Sequence, residues 1–257
     1  MAPRDRWERI TSRTNPLMTK VRKLQKGRGA RKAAGEYLGD GCKLLQEALS
    51  NGAEVRTVIC CEGQELPRVP EGVRCVVVPE DVMASISPME APQGALFLAS
   101  YPELTPPEEL TGSRYLVLDG VQDPGNVGTI WRTADALGAD GVFLVNACAD
   151  PYGPKTVRAT MGAAFRLPVW ETDGQSLADL LKRAQIPLYG TALREDTEDV
   201  RQADLSRAAV VIGSEGKGIS EELLALCRKT LKIPMRERCE SLNAAVAATV
   251  VLWEMAR

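Results

Sequence analysis

Short, uninterrupted apolar runs most constrain how this chain can fold. They fall at Tyr115–Leu118, Val142–Val145, Leu188–Thr191 and Ala209–Ile212, with a fifth strand at Thr230–Ile233. A strand that is apolar at every position has no side for water, so its sheet must be covered on both faces. The segments between these runs carry helical patterns at Val127–Leu137, Lys155–Met161, Leu177–Gln185, Glu221–Cys227 and Leu242–Met255. Strands alternating with helices predict an α/β domain, Rossmann-like, with a parallel sheet between helical layers.

A smaller α/β pattern precedes it. Asn15-Pro16 reads as a helix start, with Asn15 as cap and Pro16 in the first turn. Leu17, Val21 and Leu24 form one face of that helix, and Lys20, Arg22, Lys23 and Lys26 cover the others. Gly27 to Arg31 reads as a basic, glycine-containing loop, and residues 1–12 as a loose extension. Strands are expected at Glu36–Leu38, Val55–Cys61, Val73–Val78 and Ala95–Ala99, with helices at Lys43–Asn51 and Pro79–Ile86. The proline- and glutamate-rich stretch 102–113 lacks apolar periodicity and reads as a linker between residues 1–101 and 114–257.

Charge is unevenly distributed. The whole chain carries −2, but residues 1–50 carry +7 and the remainder −9. A basic arm for phosphate and a solvated basic helix both fit this asymmetry. The seven cysteines are odd in number and form no C-x-x-C pair, which points to a reduced, cytoplasmic protein. The longest apolar run is about half a membrane span. The chain has no histidine, so the commonest general base and the commonest metal ligand are both absent, and no metal is expected.

Open parallel sheets bind ligands at the carboxyl ends of their strands. After Tyr115–Leu118 comes a turn, Asp123-Pro124-Gly125-Asn126, then a helix bearing Arg132. Asn can cap this helix, and Arg offers a planar fork of donors suited to phosphate. After Ala209–Ile212 comes Gly213-Ser214-Glu215-Gly216-Lys217-Gly218, which is neither G-x-G-x-x-G nor a P-loop. After the last strand comes a polar loop, then Ser241 or Asn243 as a cap, then an almost wholly apolar helix from Ala244 to Trp253. A helix with so little polar surface should be buried on most sides, in the core or against a second chain.

Together, LDGVQDPGNVGTIWRTADALG, VVIGSEGKGIS and IPMRERCESLNAAVAATVVLWE, supported by VRATMGAAFRLPV, resemble the motifs of the SpoU-type ribose 2′-O-methyltransferases, within the SPOUT class. The match covers residues 114–257. Residues 13–101 resemble the ribosomal-protein-like α/β/α RNA-binding domain found in front of many members. The acidic-glycine pair of that domain falls on Asp40-Gly41, preceded by an unusual Gly39.

The resemblance implies S-adenosylmethionine as methyl donor, a structured RNA as acceptor, a deep trefoil knot, and a homodimer joined through the C-terminal helix. Ribosomal RNA is implied over transfer RNA by the added N-terminal domain. It places the active-site residues at Asn126, Arg132, Glu215, Ser241 and Asn243. It sets the donor against Thr191, Gly213, Gly218, Ile233, Met235 and Leu242. The basic side chains Lys20, Arg22, Lys23, Lys26, Arg28 and Arg31 become phosphate contacts.

Two positions depart from the family pattern. Glu237 stands where a glycine is usual, and Ala245 where a serine is usual. The first bears on the shape of the knot loop and on donor affinity. Without histidine, Arg132 is expected to bind the target phosphate and the nascent alkoxide. Asn126, Ser241 and Asn243 then fix the ribose, and Glu215 orients that network. The competing readings are a catalytically silent RNA-binding or assembly factor on the same fold, a tRNA-directed or resistance methyltransferase, and, more distantly, a Rossmann-type oxidoreductase.

Overall fold

Asn15 caps the first helix by accepting from the Leu17 amide at 2.8 Å, and Pro16 occupies the first turn of α1 (Pro16–Lys26). The computed structural model describes residues 7–192, 197–236, 238 and 241–257. It divides into two compact units. One holds the chain up to Pro102 together with Tyr152–Phe165, and the other holds Glu103–Pro151 and Arg166–Arg257.

The first unit is built on a five-stranded sheet, β1 (Glu8–Arg9), β2 (Glu36–Asp40), β3 (Val55–Cys61), β4 (Arg74–Val78) and β5 (Ala95–Ser100), in the order β1-β4-β3-β5-β2. The pairs β1/β4 and β3/β4 are parallel, and β3/β5 and β2/β5 antiparallel. Leu17, Met18, Val21 and Leu24 of α1 are buried against Leu38, Ile59, Val76 and Leu96. Each such side chain contributes roughly 1.5–3 kcal/mol of burial. The remaining helices are α2 (Arg28–Ala34), α3 (Cys42–Ser50) and α4 (Glu80–Ile86).

Two expectations for this unit need correction. Residues 8–9 are not a loose extension: they add an edge strand, and Ile10 joins the core at 4% exposure. Residues 28–31 are not a loop but the start of α2. Only Gly29 opposes helix within Arg28–Ala34, the other residues being good helix formers, and Gly35 ends it in the left-handed conformation at φ 62°.

Gly39 has a direct steric cause. It faces Phe97 across the β2/β5 pair, and a β-carbon there would lie 2.1 Å from the ring. The Phe97 ring therefore fills the space that a side chain at this position would need.

The second unit holds a seven-stranded sheet in which every pairing is parallel. In chain order its elements are β6 (Arg114–Asp119), α5 (Pro124–Ala136), β7 (Gly141–Val145), β8 (Val169–Glu171), α7 (Gly174–Arg183), β9 (Leu188–Thr191), β10 (Glu198–Asp199), β11 (Ala208–Gly213), α8 (Glu221–Leu226), β12 (Lys229–Lys232) and α9 (Ala244–Met255). Helix α6 (Pro154–Ala159), between β7 and β8 in the chain, belongs to the first unit. There Tyr152 packs on Tyr37 and Tyr101, with ring centroids 4.8 and 5.2 Å away, and Phe165 approaches Phe97.

The strand order is β10-β12-β9-β11-β6-β7-β8. From β6 the chain moves outward through β7 and β8, then returns to the opposite side of β6. On one face of the sheet, Tyr115, Val117, Phe143, Val145, Ala209 and Val211 pack with Leu177, Leu180 and Leu223 of α7 and α8. Helices α5 and α9 pack on each other, and α9 also on β11. The alternate strand residues Leu116, Leu118, Val142, Leu144, Val210 and Ile212 are buried too, as a doubly covered sheet requires. Among the described residues, no helix is long and apolar enough to cross a membrane.

Helix α9 is less enclosed than its composition suggests. Ala244, Ala245, Ala248, Val251, Leu252 and Met255 are buried, but Val246 is 49% and Trp253 61% exposed. These two lie seven positions apart, on one stripe of the helix.

Candidate active site

A cavity of about 280 Å³ opens at the carboxyl ends of β9, β11 and β12. Thr191, Gly213, Gly218, Ile233, Met235 and Leu242, the six residues expected around a methyl donor, all line it. The Thr191 hydroxyl donates to the Val211 carbonyl at 2.8 Å, so it serves the sheet. Gly213 and Gly218 shape the wall. Ser214 and Gly218 exchange two backbone hydrogen bonds of 3.0 and 2.9 Å, closing a tight hairpin. A β-carbon on Gly213 would meet the Gly218 carbonyl carbon at 2.2 Å, so only glycine fits.

At the edge of this cavity three polar side chains from three chain segments meet. The Asn126 Nδ2 donates to Oε1 of Glu215, and its Oδ1 accepts from Asn243 Nδ2 at 3.3 Å. The Asn243 Oδ1 accepts from the Ala245 and Val246 amides at 2.9 and 3.3 Å, capping α9. Both amide groups are therefore held in one orientation, with the carboxylate at the end of the chain of bonds. Ser241 lines the same cavity and is exposed.

Asn126 does not cap α5. Asp123 does, its carboxylate accepting from the Asn126 amide at 2.9 Å, with Pro124 at the first helical position. That arrangement suits the proline, which has no N–H to satisfy, and it leaves the Asn126 side chain for Glu215 and Asn243.

Arg132 stands apart from this network. Six positions along α5 amount to about 9 Å of rise and a third of a turn away from Asn126. Arg132 is exposed and makes no hydrogen bond or ion pair among the described residues. Glu237, the departure from the family pattern, lies outside the described residues. Ala245, the other departure, is buried in the first turn of α9.

Of the six basic residues expected to meet phosphate, Lys23 and Lys26 are exposed and Arg28 is half-buried. Lys20 pairs with Glu36 at 2.5 Å, and Arg22 donates to the Arg13 carbonyl at 2.6 Å. Arg31 is not presented to solvent. It is 4% exposed, and its guanidinium bonds the carbonyls of Leu24 and Gln25, the latter at 3.3 Å. These carbonyls belong to the last turn of α1 and have no partner within that helix, so a buried arginine satisfies them.

Sequence reasoning passed over Asp119. This residue ends β6, is 3% exposed, and accepts from Asn146 Nδ2 at 2.8 Å and from the Ser220 amide at 2.6 Å. It ties the ends of two strands to the residue preceding α8. The available signal was an acidic residue closing a wholly apolar strand. Nearby, burial pushes the Cys148 thiol up to about 11 and Cys227 up to about 12, with the Asp119 charge adding to both. Neither is a thiolate nucleophile at neutral pH.

The SpoU rRNA Methylase family matches residues 113–253, and the MRM3-like substrate binding domain matches residues 15–96. The 23S rRNA (guanosine(2553)-2′-O)-methyltransferase of Bacillus subtilis is 34% identical over 85% of this chain and 88% of its own. The 23S rRNA (uridine(2479)-2′-O)-methyltransferase of Streptomyces viridochromogenes is 33% identical over 97% and 92%. The crystal structure of an AdoMet-bound rRNA methyltransferase from Sinorhizobium meliloti aligns with a TM-score of 0.86 at 31% identity, covering 96% of this chain and 97% of that one. With a family model matched over more than half of its length, a relative 33% identical over 97% of it and a structural match over 96% of it, the chain belongs to the SpoU rRNA methylase family.

Proposed function

We propose that this protein transfers a methyl group from S-adenosylmethionine to a ribose 2′-hydroxyl of ribosomal RNA. The observation that carries this reading is the meeting of Asn126, Glu215 and Asn243 at the edge of the cavity lined by Gly213, Ile233 and Leu242. The lining suits the donor. Ile212, Leu231, Ile233, Leu242 and Ala247 give an apolar seat for an adenine ring, and backbone groups of the 213–218 hairpin and the 233–235 segment offer edge contacts. Among the described residues of this wall Glu215 is the carboxylate, a favourable neighbour for a sulfonium charge. Bound there, S-adenosylmethionine supplies a methyl carbon activated by positively charged sulfur.

The remaining demands fall on the protein: alignment of the hydroxyl and stabilisation of the oxygen as it loses its proton. Asn126, Asn243 and Ser241 fix the ribose, and Glu215 orients Asn126. Arg132 binds the adjacent phosphate and the developing alkoxide. A guanidinium is a donor-only, permanently positive group, so this side chain binds anionic oxygen and is not the base.

Residues 1–101, to whose unit Tyr152–Phe165 also belongs, act as the RNA-binding domain, the rest of 114–257 acts as the methyltransferase domain, and 102–113 is the linker, packed from Glu103 on with the second unit. Lys23 and Lys26 lead the phosphate contacts. The apolar stripe of Val246 and Trp253 on α9 supports a homodimer joined through that helix. The family relationship supports a trefoil knot in the C-terminal segment and action in the cytoplasm. The Streptomyces viridochromogenes and Sinorhizobium meliloti proteins, which align over nearly the whole chain, are named for rRNA, which favours ribosomal over transfer RNA.

Calorimetric titration with S-adenosylmethionine tests the donor site. Saturable one-to-one binding is expected, and it should be abolished in Gly213→Val, whose side chain invades the hairpin. Absence of binding to the wild-type protein overturns the reading.

A further inference from the structure

A second cavity, of about 700 Å³, lies on the other side of the hairpin that walls the first, and Ser214, Glu215 and Gly218 line both. It occupies the crevice at the carboxyl ends of β6 and β11, where Asp119 and Gly213 stand opposite each other in register. This is the point at which strand order reverses, the place where open parallel sheets ordinarily hold a ligand. The cavity described first opens toward β9 and β12, on the other side of β11 from β6.

The lining has a distinct chemistry. Glu215, Glu221 and Glu222 line it beside the buried Asp119, whose two oxygens accept from Asn146 and Ser220, and among the described residues of the wall Lys217 is the cation. Phosphate is repelled by such a wall. Among the described residues, no group of three or more His, Cys, Asp or Glu is arranged to hold a metal ion. Asn146 adds a directed acceptor. Its Nδ2 donates to Asp119 at 2.8 Å and to the Ser220 hydroxyl at 3.2 Å. The amide is therefore locked with its N–H side toward the protein, and the Oδ1 takes up no hydrogen bond among the described residues.

An acceptor-rich, uncharged-ligand cavity adjoining Glu215 fits a flat group bearing adjacent N–H donors. We propose that this cavity seats the base of the nucleotide being methylated, and that the base is guanine. Guanine presents its N1–H and N2 amino donors side by side on one edge, the N2 amino group complementary to the Asn146 Oδ1 and the N1–H to a carboxylate. Its O6 acceptor suits Lys217 or the Gln122 amide. Uracil, adenine and cytosine each present fewer donors on that edge and leave the acceptors unmet. Asn146 is thus a specificity-determining residue. The inference rests on the 2′-O-methyl transfer proposed above.

The test uses the full-length protein and an rRNA fragment carrying its mapped target nucleotide. Three outcomes support the proposal. The methylated nucleotide is a guanosine; replacing it with inosine, which lacks only the N2 amino group, lowers kcat/KM about tenfold or more; and Asn146→Gly lowers kcat/KM for guanosine similarly while becoming insensitive to inosine. Glycine accepts the φ of 54° at this position, so the variant keeps the backbone. S-adenosylmethionine affinity of Asn146→Gly should equal that of wild type. A target other than guanosine, or a variant as active and as inosine-sensitive as wild type, overturns the proposal while leaving the methyltransferase reading intact. A wild-type protein that neither binds S-adenosylmethionine nor methylates any rRNA refutes that reading and this inference with it.

Discussion

Asn126 and Glu215, 89 positions apart in sequence, are joined side chain to side chain, and Asn243 extends the chain of bonds from Asn126. Residues coupled in one network lose their effect together. Asn126→Ala and Glu215→Ala should each lower the single-turnover rate by about 10²-fold or more. The double variant should be hardly worse than the poorer single one. Multiplicative losses in the double-mutant cycle would show that the two residues act independently.

Arg132 provides a contrast, because it stands outside that network in the single chain. Arg132→Ala should abolish methylation while calorimetric S-adenosylmethionine affinity is retained. Arg132→Lys should rescue little, since an ammonium group cannot reproduce the planar two-point contact with a phosphate. Near-normal turnover of either variant on rRNA would remove Arg132 from the mechanism.

Exposed and buried basic residues should separate in RNA binding. Lys23→Ala and Lys26→Ala should each reduce the slope of log affinity against log salt by about 1. Arg31→Ala should instead destabilise the fold, by on the order of 2 kcal/mol, because two helix-end carbonyls lose a buried donor. Filter binding across a salt series and urea unfolding distinguish the two effects. Equal salt slopes for wild type and the lysine variants would exclude this surface.

Gly39 and Phe97 are sterically linked. Gly39→Ala should cost about 1–3 kcal/mol through overpacking against the ring. Combination with Phe97→Leu should cost less than the sum of the single changes. Strict additivity in chemical denaturation would break the link.

Asp40 makes stability depend on pH. Burial raises its carboxyl to about 6, with Arg158 and Ser87 opposing. The unfolded chain, whose aspartate titrates near 4, releases this proton first as pH rises. Stability therefore falls between about pH 4 and 6, and the full penalty persists above that window. Asp40→Asn should flatten this dependence and add on the order of 2 kcal/mol at pH 7. An unchanged pH profile in urea unfolding would contradict it.

Much of the second unit was legible because YLVL, VFLV and AVVI have no polar position, and only a covered parallel sheet accepts such strands. The two-residue strands β1 and β10 carry no periodicity to read. Helix α2 was hidden by Gly27 and Gly29, which punctuate a segment whose alanines and basic residues still favour helix. The packing of Tyr152 on Tyr37 joins positions far apart in the chain, and no local pattern encodes it. In the site, strand-end loops located the cavity, and the motif resemblance singled out Asn126, Glu215 and Asn243. The burial of Arg31 and the bonds of Asp119 depend on three-dimensional neighbours that spacing alone does not specify.

The most direct measurement of the central claim is a map of ribose 2′-O-methyl groups in ribosomal RNA from cells with and without the gene, complemented by wild type or Asn126→Ala. The account predicts one methylated position that disappears on deletion, returns with wild type and stays absent with the variant. Identical maps in all strains, or full restoration by Asn126→Ala, would contradict it.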